Sequence, residues 1–179
     1  VAYRFFIAGV LLLAFCSLRK LNMRYSLAEH LRMALQGLIL FGFNYWLVYL
    51  AETSMSSGVV AMIFSLSIFA NIFFNYFLLK GKLRPEVMGG AVLGILGTVL
   101  IYSHELNGPE DLNIGYVGLL FCLGSIILAS LGNILSKFNQ SKKLPVLQTN
   151  AFSMTYGSSA MMLMVPLSGK SFSFEPTLP

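Results

Sequence analysis

Uncharged hydrogen-bonding side chains set inside apolar runs are the feature of this sequence that could do chemistry. Asn44 and Tyr45 stand side by side, 13 residues beyond Arg32 in the case of Tyr45, which is roughly 20 Å along a helix. Ser67, Asn71 and Asn75 recur every four residues and therefore share one helical stripe. Ser125, Ala129, Gly132 and Ser136 form a second stripe of small and polar residues with Asn133 beside it, and Tyr156 lies deep in a later run. Amides, hydroxyls and phenols in an apolar medium hold polar molecules by hydrogen bonds, and an unpaired one is costly. They can equally join helices to each other, at roughly 0.6 to 2 kcal/mol per bond.

Bond-making chemistry finds little support. Asp111 is the only aspartate, and His30 and His104 fall in different connecting regions, so neither a carboxylate pair nor a metal cluster assembles from them. No catalytic residue, metal site or cofactor is expected. Gly169-Lys170-Ser171 resembles the end of a phosphate loop, but Met164 occupies the place of its first glycine. Cys16 and Cys122 sit in apolar runs without a CxxC or histidine partner and read as small buried side chains. Glu52, at the end of an apolar run, is the one acid placed to couple a proton or ion to the polar residues, although a solvated helix end explains it as well. No charged residue or histidine is expected near the middle of an apolar run, so no intramembrane proton relay is visible.

The elements that must position these groups are long and apolar. Of 179 residues 56% are hydrophobic and 11% charged, against roughly a quarter charged in soluble domains. Six segments approach the roughly 20 residues that span a bilayer: Val1 to Leu18, Leu31 to Thr53, Gly58 to Leu79, Val87 to Tyr102, Ile114 to Lys137 and Leu147 to Ser168. The fourth is the shortest. They lack the period-two alternation of barrel strands, so the expected class is all-α integral membrane with six transmembrane helices.

Charge then orders the segments. Arg19, Lys20, Arg24 and Arg32 separate the first two; Lys80, Lys82 and Arg84 the third and fourth; Lys137, Lys142 and Lys143 the last two. The remaining connections carry Glu52, then Glu105, Glu110 and Asp111, and finally Glu175. Basic connectors stay in the cytoplasm, so the chain threads back and forth, its odd segments running inward and its even ones outward. This distribution explains the net charge of +5 without nucleic acid, and the lipid bilayer is the expected partner. The sequon at Asn139 falls on the cytoplasmic side, where it is not glycosylated. Gly90, Gly94 and Gly97 share a face of the fourth segment, which should clamp it against a neighbour.

Laying Gly9 on Gly157 aligns the first and sixth segments weakly, five segments apart and so in opposite orientations. Asn44 to Ala51, Ser57 to Leu66, Gly89 to Gly97 and Gly115 to Leu120 resemble the EamA-type half-repeat of the drug/metabolite transporter superfamily. The resemblance implies a ten-helix bundle of two inverted five-helix repeats. Residues 1–105 would hold four helices of the first repeat and residues 106–179 the first two of the second, the chain being truncated at both ends. This chain departs from the family pattern at Ser67-Ile68, where a proline often follows the Ser-Leu pair, and at Lys82, where a glutamate is common.

By the same resemblance, the protein would be a secondary transporter in the inner or plasma membrane. It would move a small organic solute, an amino acid or relative, by alternating access, in the direction of export. Asn44, Tyr45, Ser67, Asn71, Asn133 and Tyr156 are the candidate lining of its cavity, with Glu52 the candidate for proton or ion coupling. Alternatives are an integral-membrane transferase whose reactive groups lie elsewhere, and a structural subunit that moves nothing.

Overall fold

The computed structural model describes residues 2–81, 85–106 and 116–167, and all of their side chains except those of residues 98, 101–106 and 164–167. The acidic connector with Glu110 and Asp111, the basic pair Lys82 and Arg84, and the region of Lys170 and Glu175 lie outside them. The described residues are all-α, in six helices: α1 (Ala2–Leu18), α2 (Leu27–Glu52), α3 (Ser57–Leu79), α4 (Pro85–Leu106), α5 (Tyr116–Ser141) and α6 (Val146–Leu167). Helices α2, α3 and α5 are each long and apolar enough to cross a membrane, whereas α1 is apolar but shorter, at 17 residues. Helix α6 buries Gln148, Thr149, Ser153 and Ser158, and these dilute its apolar character.

Helices α2 and α4 begin earlier than expected, for identifiable reasons. Helix α2 begins at Leu27 rather than Leu31, because Ser26 and Glu29 form a reciprocal capping box: Glu29 N–H donates to Ser26 Oγ and Ser26 N–H to Glu29 Oε2, at 3.4 and 2.7 Å. His30 and Arg32 are thereby helical. Helix α4 runs 22 residues from Pro85, a residue whose fixed φ and missing N–H suit the first helical position. It is not the shortest segment; α1 is.

The helices at whose ends the basic connectors begin share a stop signal. Lys20, Lys80 and Lys143 follow α1, α3 and α5 and all take positive φ, of 52°, 51° and 65°. After α1 and α5 the next residue folds back on the helix, with Leu21 N–H donating to Cys16 O and Leu144 N–H to Asn139 O, the pattern that satisfies terminal carbonyls. A lysine here costs about 1 kcal/mol more than glycine in backbone strain, but its charge complements the negative end of the helix dipole.

Helix α5 is the centre of the bundle, with α2 on one flank and α3 on the other. Helix α6 packs on α2, α1 packs on α6, and α4 leans on the first half of α3. Directions follow from the contacts. Cys122 meets the Val60 carbonyl, Asn133 meets Asn71 and Lys137 meets Asn75, each pair 62 residues apart, so α3 and α5 run parallel in constant register. Gly132 faces Leu40 while Gly124 faces Leu47, so α2 and α5 run antiparallel. Both relations agree with the threading read from charge.

The expected clamp on α4 is not found among the described residues. A methyl added at Gly90, Gly94 or Gly97 would meet nothing within 4 Å; α4 instead buries Ala91. Close backbone approach occurs at another pair. A Cβ at Gly37 would collide with the Ser153 carbonyl oxygen, and one at Gly157 with the Gly37 carbonyl oxygen, so α2 and α6 cross with their backbones in contact. Cys16 and Cys122 are buried and free, as expected.

Candidate functional site

Two helices that position polar residues are locally irregular. In α2 a π-helical turn spans Leu38–Phe43, and the Asn44 N–H bonds to the Ile39 carbonyl, five residues back. The Leu40 carbonyl, which would take that N–H in an α-helix, accepts instead from Asn44 Nδ2 at 3.2 Å. Asn44 thus repairs the bulge it sits behind. Its Oδ1 remains buried without a hydrogen-bond partner, which is costly in an apolar surround. Helix α3 is interrupted at Ser65-Leu66, between helical pieces Ser57–Phe64 and Ser67–Leu79. Leu66 and Phe69 N–H groups bond three residues back, to Ile63 and Leu66, and Ser65 Oγ donates to the Met62 carbonyl at 2.6 Å. Such back-bonding by serine bends helices, so the chain breaks here without the proline common in the family it resembles.

The second piece of α3 and the matching length of α5 carry a polar ladder. Asn133 Nδ2 donates to Asn71 Oδ1 at 3.2 Å, and one turn further along Lys137 Nζ donates to Asn75 Oδ1 at 2.6 Å. Asn133 and Lys137 are exposed while Asn71 and Asn75 are half-buried, so the ladder is an open polar strip on otherwise apolar helices. Ser67 opens the same piece of α3 on the same stripe, half-buried.

Helices α2, α5 and α6 meet in a second, closed polar cluster. Gln36 lies at its centre: its Oε1 accepts from Asn139 Nδ2 at 2.9 Å and its Nε2 donates to Asn150 Oδ1 at 3.3 Å. Gln36 and Asn139 are fully buried, which also puts the sequon asparagine out of reach of modification. Ser153 Oγ donates to the Met33 carbonyl at 2.8 Å. Tyr156 falls beside this cluster, its hydroxyl 3.0 Å from His30 Nδ1. Phe152 and Tyr25 enclose the imidazole edge-on, at 4.9 and 6.1 Å between ring centres. In the connector between α1 and α2, the Tyr25 phenol is pushed above its usual range, first by burial, then by Cys16 and Glu29.

The expected lining residues therefore fall on three faces. Asn71, Asn133 and Ser67 share the α3–α5 strip. Tyr156 faces His30, and Tyr45 packs its ring on Phe5 of α1 at 4.6 Å, next to the buried Asn44. Glu52 is exposed at the end of α2. Sequence reasoning missed Lys137, assigned to a connector, and the Gln36–Asn139–Asn150 cluster. The spacing of Asn133 and Lys137, four residues like that of Asn71 and Asn75, was a usable signal for the first; nothing in the spacing marks the second.

Comparison with known proteins matches residues 1–103, more than half of the chain, to the EamA-like transporter family. An uncharacterized transporter of Clostridium kluyveri is 23% identical over 146 residues, covering 77% of this chain and 44% of that protein. The chain thus spans less than half the length of that relative. No solved structure matches. Helices of membrane-crossing length, a threaded order of parallel and antiparallel neighbours, and a family match over α1 to α4 converge on one assignment: this chain is a multi-pass integral membrane protein belonging to the EamA-like transporter family.

Proposed function

We propose that this chain forms part of a secondary transporter that moves a small organic solute, an amino acid or related metabolite, outward by alternating access. The observation that carries the reading is the open strip of Asn71, Asn133, Asn75 and Lys137 on two parallel helices. Polar side chains in a membrane protein face a partner helix or a wet cavity, and these retain unused donors on an exposed face. In this reading all six helices cross the bilayer, residues 1–105 belong to one five-helix repeat and residues 106–179 to an inverted second one. The break at Ser65-Leu66 and the π turn at Leu38–Phe43 suit such a role, because discontinuous helices border the substrate sites of many transporters. Ser67 and Tyr45 extend the lining, and Glu52 is the candidate for coupling.

Flux decides between transport and a purely structural role. The full-length protein in proteoliposomes is expected to exchange a preloaded, radiolabelled amino acid from a panel of neutral ones at a rate well above protein-free vesicles. An Asn71→Ala, Asn133→Ala double variant, monodisperse like the parent, is expected to lose most of that rate. Flux equal to that of empty vesicles for the whole panel would refute the amino acid reading.

A further inference from the structure

We propose that the α3–α5 ladder is a carboxylate-binding site, in which Lys137 supplies the charge and the amides of Asn71 and Asn133 the flanking donors; this rests on the transport reading and specifies its substrate. Lys137 Nζ carries three protons and has one side-chain acceptor, Asn75 Oδ1 at 2.6 Å. Among the described residues no carboxylate pairs with it. An ammonium held against a neutral amide at the rim of an apolar medium attracts an anion.

The geometry suits a small one. The two rungs are one helical turn apart, about 6 Å along the axis. One carboxylate bridges that span, one oxygen accepting from Lys137 and the other from an unused amide N–H of the Asn71–Asn133 rung, each at about 2.8 Å. One fixed cation balances a carboxylate, whereas a phosphate monoester brings a charge of about −1.5 to −2. Lys80 and Lys143 stand at the same end of α3 and α5 and raise the local concentration of anions. A lipid phosphate presents similar anionic oxygens, so the experiment must separate the two sources.

The full-length protein is reconstituted in phosphatidylcholine alone, and exchange of radiolabelled neutral amino acids is competed with each free acid and with its carboxamide. The parent protein is expected to prefer the acid at least about tenfold, the value of one charge-assisted hydrogen bond. Lys137→Gln is expected to abolish that preference and raise the half-saturating concentration of the acid about tenfold. Lys137→Arg should restore most of it, and Lys142→Gln, whose ammonium lies over the Phe138 ring, should leave it unchanged. Thermal stabilisation of the purified protein by acid and by amide reads the same site without flux, so a protein that binds but does not exchange still tests it. If Lys137→Gln keeps the preference in both measurements, the site is wrong while transport stands. If its effect appears only after phosphatidylglycerol is added, and equally for acid and amide, Lys137 binds a headgroup and the proposal is overturned.

Discussion

Alanine at Gly37 is expected to destabilise the bundle by about 3 kcal/mol, seen as a lower unfolding midpoint in detergent and a loss of monodisperse protein. The added methyl has nowhere to go, since it meets the Ser153 carbonyl, and the reciprocal position, Gly157, meets the Gly37 carbonyl. Neither obstacle is the end of a flexible side chain, so relief requires α2 and α6 to separate. Separation in turn loosens Ser153 from Met33 and Gln36 from Asn150. Small residues at helix crossings are what permit tight packing in lipid, where no hydrophobic drive holds helices together. The control is Gly90→Ala, which meets nothing within 4 Å and is expected to be neutral or stabilising by up to about 1 kcal/mol through helix propensity. If both substitutions have the same effect, the close crossing of α2 and α6 is wrong.

Replacing Gln36 by leucine is expected to cost about 2 kcal/mol, for a different reason. The side chain volume is nearly kept, but Asn139 Nδ2 and Asn150 Oδ1 lose their partner inside a buried cluster in which Asn139 Oδ1 already has none. An orphaned buried group costs more than the bond that satisfied it contributed. A double-mutant cycle isolates the interaction: Asn139→Ala should cost about 1 kcal/mol less on the Gln36→Leu background than on the parent. Strict additivity would show that the amides touch without supporting each other.

The helices and their order were legible because lipid imposes simple rules. Long apolar runs and alternating basic connectors set the number of segments and their bounds to within a few residues, and the parallel sense of α3 and α5 follows from that alternation. The start of α2 was missed although Ser26 and Glu29 carry a capping signal, because hydropathy outweighed it. What sequence could not supply was rotation about each helix axis. Asn44 and Tyr45 are neighbours in the chain, yet one repairs a π turn and the other packs its ring, tilted, against Phe5. The polar face of α6, which buries Ser153 against Met33, looks in sequence like dilution of an apolar run. The α4 glycines misled for the same reason, since spacing shows that small residues share a face but not that anything lies against it.

The proposed transport requires the α3–α5 strip to face water within the membrane. Its most direct test is reactivity of Asn133→Cys with a hydrophilic, membrane-impermeant methanethiosulfonate, which needs a hydrated thiolate; the natural Cys16 and Cys122 are fully buried. Rapid labelling at Asn133→Cys, slowed by a bound amino acid, is expected, while Ile127→Cys, on an exposed apolar part of the same helix, stays inert. Labelling of Ile127→Cys with Asn133→Cys left unreactive would contradict it.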